Sequence, residues 1–158
     1  MGHILVVDDE EQVVKLLRKV LESAGHTVVT ALSGQEALKL LRAQPFALMI
    51  SDIVMAQMDG MELLKEAHKE RPELTVIMLT GYPTANTATA SLRYDVFDYT
   101  LKPFDVEDLL STVEAGLAHH ERQQQESAAK ETGKKSKSLR GFLRDKDKEF
   151  SDDVPQQL

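Results

Sequence analysis

Apolar residues follow two rhythms along the first 118 positions. Short runs at His3–Val7, Thr27–Ala31, Phe46–Met55, Thr75–Leu79 and Phe97–Leu101 are nearly unbroken or β-branched, and the third ends its core in Ser51-Asp52. Runs of this length read as strands, and those with no polar alternation as strands covered on both faces, as in a parallel sheet under helices. Between them apolar residues recur every three or four positions. Val13, Leu16, Leu17, Val20, Leu21 and Ala24 set a first helix from Gln12, stopped by Gly25. Ser33-Gly34-Gln35-Glu36 is a capping box opening a second, with Ala37, Leu38, Leu40 and Leu41 ahead of Pro45. Asp59-Gly60 opens a third, with Met61, Leu63, Leu64 and Ala67. Thr84 to Tyr94 is the weakest helix, because its threonines are poor helix formers. Asp105 caps a fifth, with Val106, Leu109, Leu110, Val113 and Leu117 on one face. Five strands alternating with five helices through short connections predict an α/β, doubly wound domain.

The pattern fades near residue 120. The folded domain is expected over residues 1–120, and residues 121–158 as a helical extension with a polar, largely disordered tail. Residues 130–148 hold eight Lys and Arg against three Asp and Glu, interrupted by Gly133 and Gly141, with Leu139, Phe142, Leu143 and Phe150 as the apolar anchors. That is too little for a core, so order there is expected only on docking. Residues 1–118 carry ten Lys and Arg against eighteen Asp and Glu. So acidic a domain is a poor match for nucleic acid. No run is long enough for a membrane span, and Met1-Gly2-His3 leads straight into the first strand without a signal peptide. The absence of cysteine fits a reducing, cytoplasmic setting. His26 and His68 read as surface residues, and His119-His120 as an exposed helix end; adjacent residues share no helix face, which argues against a metal site there.

The candidate chemistry sits where strands end. In an open α/β sheet, ligands bind at the carboxyl ends of the strands. There Asp8 and Asp9 follow the first strand, Asp52 ends the third, Thr80 ends the fourth and Lys102 follows the fifth. Close carboxylates need a counter-charge. Mg²⁺ with oxygen ligands is one candidate and the Lys102 ammonium another. With a phosphoryl group on Asp52, the carboxylate is a nucleophile, Asp9 and Asp52 hold the cation, and Lys102 and Thr80 bind the remaining oxygens. Singly, each residue has a plainer reading: Asp9 as a helix cap, Thr80 as a strand end, Lys102 as a surface lysine. The constellation decides between them.

The order Asp8-Asp9, Asp52, Thr80, Lys102-Pro103 resembles the receiver domain of two-component response regulators. Met58-Asp59-Gly60 and Phe97-Asp98-Tyr99 add to the likeness, which runs from His3 to about Ala118. The resemblance implies a flavodoxin-like sheet of order 2-1-3-4-5 and a phosphoryl group received on Asp52 from the phosphohistidine of a sensor histidine kinase. It implies Mg²⁺ on Asp8, Asp9, Asp52 and the Val54 carbonyl, a cis peptide at Lys102-Pro103, and Thr80 with Tyr99 as the switch. The output face would be the fourth helix, fifth strand and fifth helix, docking a downstream effector or phosphotransfer protein, or a second phosphorylated copy.

Three positions depart from the family pattern. Ala56 stands where proline is usual, Val54 cannot orient an attacking water, and Tyr82 is large enough to shield the site; the last two are expected to slow loss of the phosphoryl group. Val54 also argues against an aspartyl-phosphate phosphatase, which would place a second Asp there as acid and base. A phosphoacceptor rather than an enzyme is therefore expected. It is either a stand-alone receiver or the receiver part of a longer DNA-binding or ATPase regulator.

Overall fold

The computed structural model describes residues 2–81 and 95–151, with side chains described up to residue 129. The strands are β1 (His3–Val7), β2 (Thr27–Ala31), β3 (Leu48–Asp52), β4 (Thr75–Thr80) and β5 (Asp98–Leu101). The helices are α1 (Glu11–Ser23), α2 (Gly34–Ala43), α3 (Gly60–Glu70) and a C-terminal helix (Val106–Ser151). The weak helix expected over residues 84–94, and with it Tyr82, lies outside the described residues. The sheet is wholly parallel, in the order β2-β1-β3-β4-β5.

Alternation along each strand sorts the core into two layers. Leu5, Val7, Met49, Val76 and Met78 pack with Leu41 of α2 and Leu63 and Leu64 of α3. Ile4, Val6, Leu48, Ile50 and Ile77 pack with Leu17 and Leu21 of α1 and with Leu109 and Val113 of the C-terminal helix. Helices thus cover both faces, which is why β3 and β4 are buried at every position. Each fully buried Leu or Ile contributes about 2 kcal/mol of transfer free energy.

The caps form as their sequences suggest. The Glu36 N–H donates to Ser33 Oγ at 3.1 Å, while the Glu36 carboxylate accepts from the Leu32 N–H, one residue before the cap, at 3.3 Å. Asp59 accepts from the Glu62 N–H at 2.8 Å, and Asp105 from the Asp108 N–H at 3.0 Å. Gly25 ends α1 at φ +95°, a conformation that suits glycine.

Three expectations about exposure differ from the structure. The apolar stripe of α1 is wider than the sheet can cover, so Leu16 stays 48% exposed while Val14, Leu17 and Leu21 are buried. His26 is buried rather than at the surface: its Nδ1 accepts the Gly2 N–H at 3.1 Å and its Nε2 lies 2.9 Å from Glu114. His119 and His120 are half-buried. One ring packs on Phe97 with centroids 5.0 Å apart, and the other sits 3.0 Å from the Glu73 carbonyl.

The C-terminal helix continues through Gly133 and Gly141 to Ser151, where the sequence predicts a tail ordered only on docking. Residues 119–151 contain no proline and abound in Gln, Glu, Lys and Ala, all good helix formers. Each glycine there costs about 1 kcal/mol, which does not end a helix by itself. The chain divides into two units, residues 1–121 and 122–158. Among the described residues no helix is long and apolar enough to cross a membrane.

Candidate functional site

The carboxyl ends of β1, β3 and β4 meet at one rim because these strands are adjacent and parallel. β1 ends at Val7, which pairs with Ser51, and Asp52 pairs with Leu79. Asp8 and Asp52 are 1% and 6% exposed, and Thr80 is fully buried. The Glu10 N–H donates to Asp8 Oδ1 at 2.9 Å, a local turn that fixes Asp8 and leads into α1. The Val54 N–H reaches Asp52 Oδ1 at 3.3 Å.

Lys102 arrives from the edge strand. Its N–H donates to the Thr80 carbonyl at 2.7 Å, and its peptide bond to Pro103 is cis. The Nζ lies 2.8 Å from Asp8 Oδ2, 3.1 Å from Asp52 Oδ2 and 3.7 Å from Glu10 Oε1. One ammonium is shared by three carboxylates.

The electrostatics follow from this crowding. Burial pushes the Asp8 carboxyl above its ordinary value, and the Asp52 charge adds to the rise; the Lys102 and Glu10 hydrogen bonds oppose it without cancelling it. Burial pulls Lys102 down, yet its hydrogen bonds to Asp8 and Asp52, with their charges, leave it above the usual lysine value. The ammonium is held charged, while one of its partners remains costly to ionise.

Glycine at position 60 makes the close packing beneath Asp52 achievable. The Gly60 N–H donates to the Ile53 carbonyl at 2.7 Å. A Cβ there would collide with the backbone carbonyl of Asp52 and stand 2.7 Å from Ile53 Cα. The start of α3 therefore sits directly against the end of β3. Above it opens a cavity of about 450 Å³ lined by Glu10, Asp52, Val54, Thr80, Gly81, Lys102 and Pro103. It has room for a phosphoryl group beside Asp52, with Thr80 and Lys102 on the wall.

The expected ligand set and the carboxylates that gather differ in one member. Ligand atoms of Asp8, Glu10 and Asp52 lie within 4.8 Å of one another. Asp9 stands apart: it is exposed, and its Oδ2 accepts the Ala56 N–H at 3.1 Å. The physical reason is the turn after β1, which sends Asp9 toward the β3–α3 loop and brings the longer Glu10 back over the rim. The acidic run Asp8-Asp9-Glu10-Glu11 held the signal for Glu10, but reading it as a strand stop and a helix-dipole partner hid it. Three hard oxygen donors around one point fit Mg²⁺. Val54 lies on the cavity wall, 59% exposed. Tyr99 is half-buried against the layer that contains Met49 and Met78, and its hydroxyl is buried without a hydrogen-bond partner among the described residues.

Comparison with known proteins agrees with this geometry. The model of the response regulator receiver domain matches residues 4–114. The transcriptional regulatory protein ZraR of Escherichia coli K12 is 40% identical over 116 residues, which are 73% of this chain and 26% of ZraR. The chain thus spans about a quarter of the length of the curated relatives it matches. A CheY-like receiver domain protein of Methanospirillum hungatei JF-1 superposes with a TM-score of 0.76 at 33% identity, covering 78% of this chain and 98% of that one. TrrA of Thermotoga maritima, solved in complex with Mg²⁺ and BeF, gives a TM-score of 0.67 at 33% identity over 73% of this chain and 99% of its own. The order of the sheet, the charged rim and these matches lead to one conclusion: the chain belongs to the family of response regulator receiver domains.

Proposed function

We propose that Asp52 is the phosphoacceptor of a two-component phosphorelay and that residues 1–120 are its receiver domain. The observation that carries this reading is the Lys102 ammonium bridging Asp8 and Asp52 at the edge of a cavity that admits a phosphoryl group. A carboxylate oxygen of Asp52 attacks the phosphorus of a phosphohistidine on a sensor histidine kinase. The P–N bond breaks, its electron pair stays on the imidazole, which takes a proton from water, and the new P–O bond forms an acyl phosphate. Lys102 moves its charge from carboxylate to phosphoryl oxygen, and the Thr80 hydroxyl, on the same wall, binds another oxygen. Thr80 and Tyr99 then report the modified state to the face carrying β5 and the C-terminal helix.

Mg²⁺ would be held by carboxylates drawn from Asp8, Asp9, Glu10 and Asp52 with the Val54 carbonyl, and when bound it supplies charge neutralisation for the phosphoryl oxygens. The likeness to TrrA, which was solved with Mg²⁺ and BeF, supports this. The protein is an acceptor that assists its own modification, in the cytoplasm, and not a turnover enzyme. Its partners are the kinase and a downstream effector, a phosphotransfer protein or a second phosphorylated copy. The likeness to a quarter of ZraR supports a second reading, in which the same chemistry governs an output domain of a longer regulator.

Incubation with acetyl phosphate and Mg²⁺ tests the core of the proposal. Intact mass should rise by one phosphoryl group in the wild type, and Asp52→Asn should show no gain. An equal gain in Asp52→Asn removes Asp52 as the acceptor.

A further inference from the structure

We propose that the backbone N–H of Ala56 competes with the cation for Asp9, so that residue 56 is a positioning residue that sets the Mg²⁺ affinity of the rim. This inference rests on the reading of the rim as a cation site that recruits Asp9. The Ala56 N–H donates to Asp9 Oδ2 at 3.1 Å, linking loops 47 residues apart. The carboxylates gathered within 4.8 Å are Asp8, Glu10 and Asp52, and they leave Asp9 out. For Asp9 to join them its carboxylate must turn from the β3–α3 loop toward the rim, and that turn gives up the Ala56 bond.

The loop is built to present this donor. The Met58 N–H donates to the Ala56 carbonyl at 2.8 Å, and Gln57 sits at φ +67°, a left-handed turn rarely adopted outside glycine, Asn and Asp. Ala56 is therefore held by its own turn, and its N–H does not simply follow Asp9. The donor is a main-chain group, so substitution among ordinary residues leaves it in place; proline alone removes it. Exposed to water, this bond is worth no more than an ordinary net hydrogen bond, which weakens competing ligation by about three- to tenfold.

The test is calorimetric titration of the full chain with Mg²⁺ and no phosphodonor, for wild type, Ala56→Pro and Ala56→Gly. Ala56→Pro should bind Mg²⁺ about three- to tenfold tighter, and Ala56→Gly, which keeps the N–H, should match wild type. Equal or weaker binding by a natively folded Ala56→Pro overturns the proposal, as does a matching gain in Ala56→Gly. Amide exchange of Ala56 in the wild type decides the matter if the proline variant misfolds. Saturating Mg²⁺ should speed that exchange, and unchanged protection overturns the proposal. Mg²⁺ binding with no effect of residue 56 leaves the cation site standing and removes only this inference. No Mg²⁺ binding by wild type removes both.

Discussion

The two ends of the sheet handle polar groups in opposite ways. At the carboxyl ends of the strands, Asp8, Glu10 and Asp52 share one ammonium, and Asp8 is pushed toward protonation. At the amino ends, all five histidines of the chain have settled partners. His3 sits 2.8 Å from the Pro45 carbonyl, His68 3.0 Å from that of Leu74 and His120 3.0 Å from that of Glu73. His119 packs on Phe97, and His26 is bonded through both ring nitrogens. Because the Gly2 N–H points at Nδ1, the ring hydrogen is on Nε2 and is donated to Glu114. One end is balanced and serves the fold. The other keeps an excess of negative charge beside a cavity, the condition under which a cation or a phosphoryl group has something to gain.

That contrast predicts a split in mutational behaviour: the rim should answer to Mg²⁺ and phosphodonor, and the base to denaturant alone. The largest effect is expected from Gly60→Ala. The added methyl must displace the Asp52 carbonyl, costing about 3 kcal/mol in urea unfolding and lowering phosphoryl uptake together. A variant as stable as wild type would mean that the start of α3 yields easily and does not brace the end of β3. Next comes Lys102→Met, with a loss of about 2 kcal/mol, below the range for fully buried pairs because the lysine side chain is 19% exposed. Added Mg²⁺ should recover part of that loss by replacing the counter-charge; no recovery would break the charge argument.

His26→Leu should cost about 1 kcal/mol, since it orphans the Gly2 N–H while Glu114 stays solvated. Phosphoryl uptake should be unchanged, and a clear change there would show that the two ends are coupled. The smallest signal is a pH dependence. A carboxyl raised in the folded state contributes stability that is fully present below its unfolded value, about 3.9, and is lost as pH rises through the higher folded value. Asp8→Asn lacks this loss. In chelator-containing buffer it should therefore gain stability relative to wild type between pH 4 and pH 7, and a constant gap would contradict the raised Asp8.

The sheet was legible because its inner strands are nearly contiguous apolar runs, β2 is β-branched and each cap is a local signal; Ser33, Asp59 and Asp105 all act within three residues of themselves. The site was legible as far as it depends on strand ends, so Asp52, Thr80 and Lys102 stand on one cavity as strand order requires. What escaped depends on how a turn aims neighbouring side chains. Asp9 and Glu10 are both acidic and adjacent, and no periodicity says which one returns to the rim. His26 escaped for a related reason: its partners Gly2 and Glu114 are 24 and 88 residues away, and a lone histidine after a glycine carries no mark of burial.

The bond between Lys102 and Asp8 joins residues 94 positions apart, from the first strand of the sheet to the last. A chain emerging from the ribosome has its acidic cluster long before it has its counter-charge. Until β5 docks along β4, Asp8 and Asp52 have no Lys102 ammonium between them, and an unfinished or locally opened molecule leaves their charges uncompensated. Closure of the charged rim is in this way tied to completion of the sheet, the last strand supplying the cation that the first strand's carboxylate lacks.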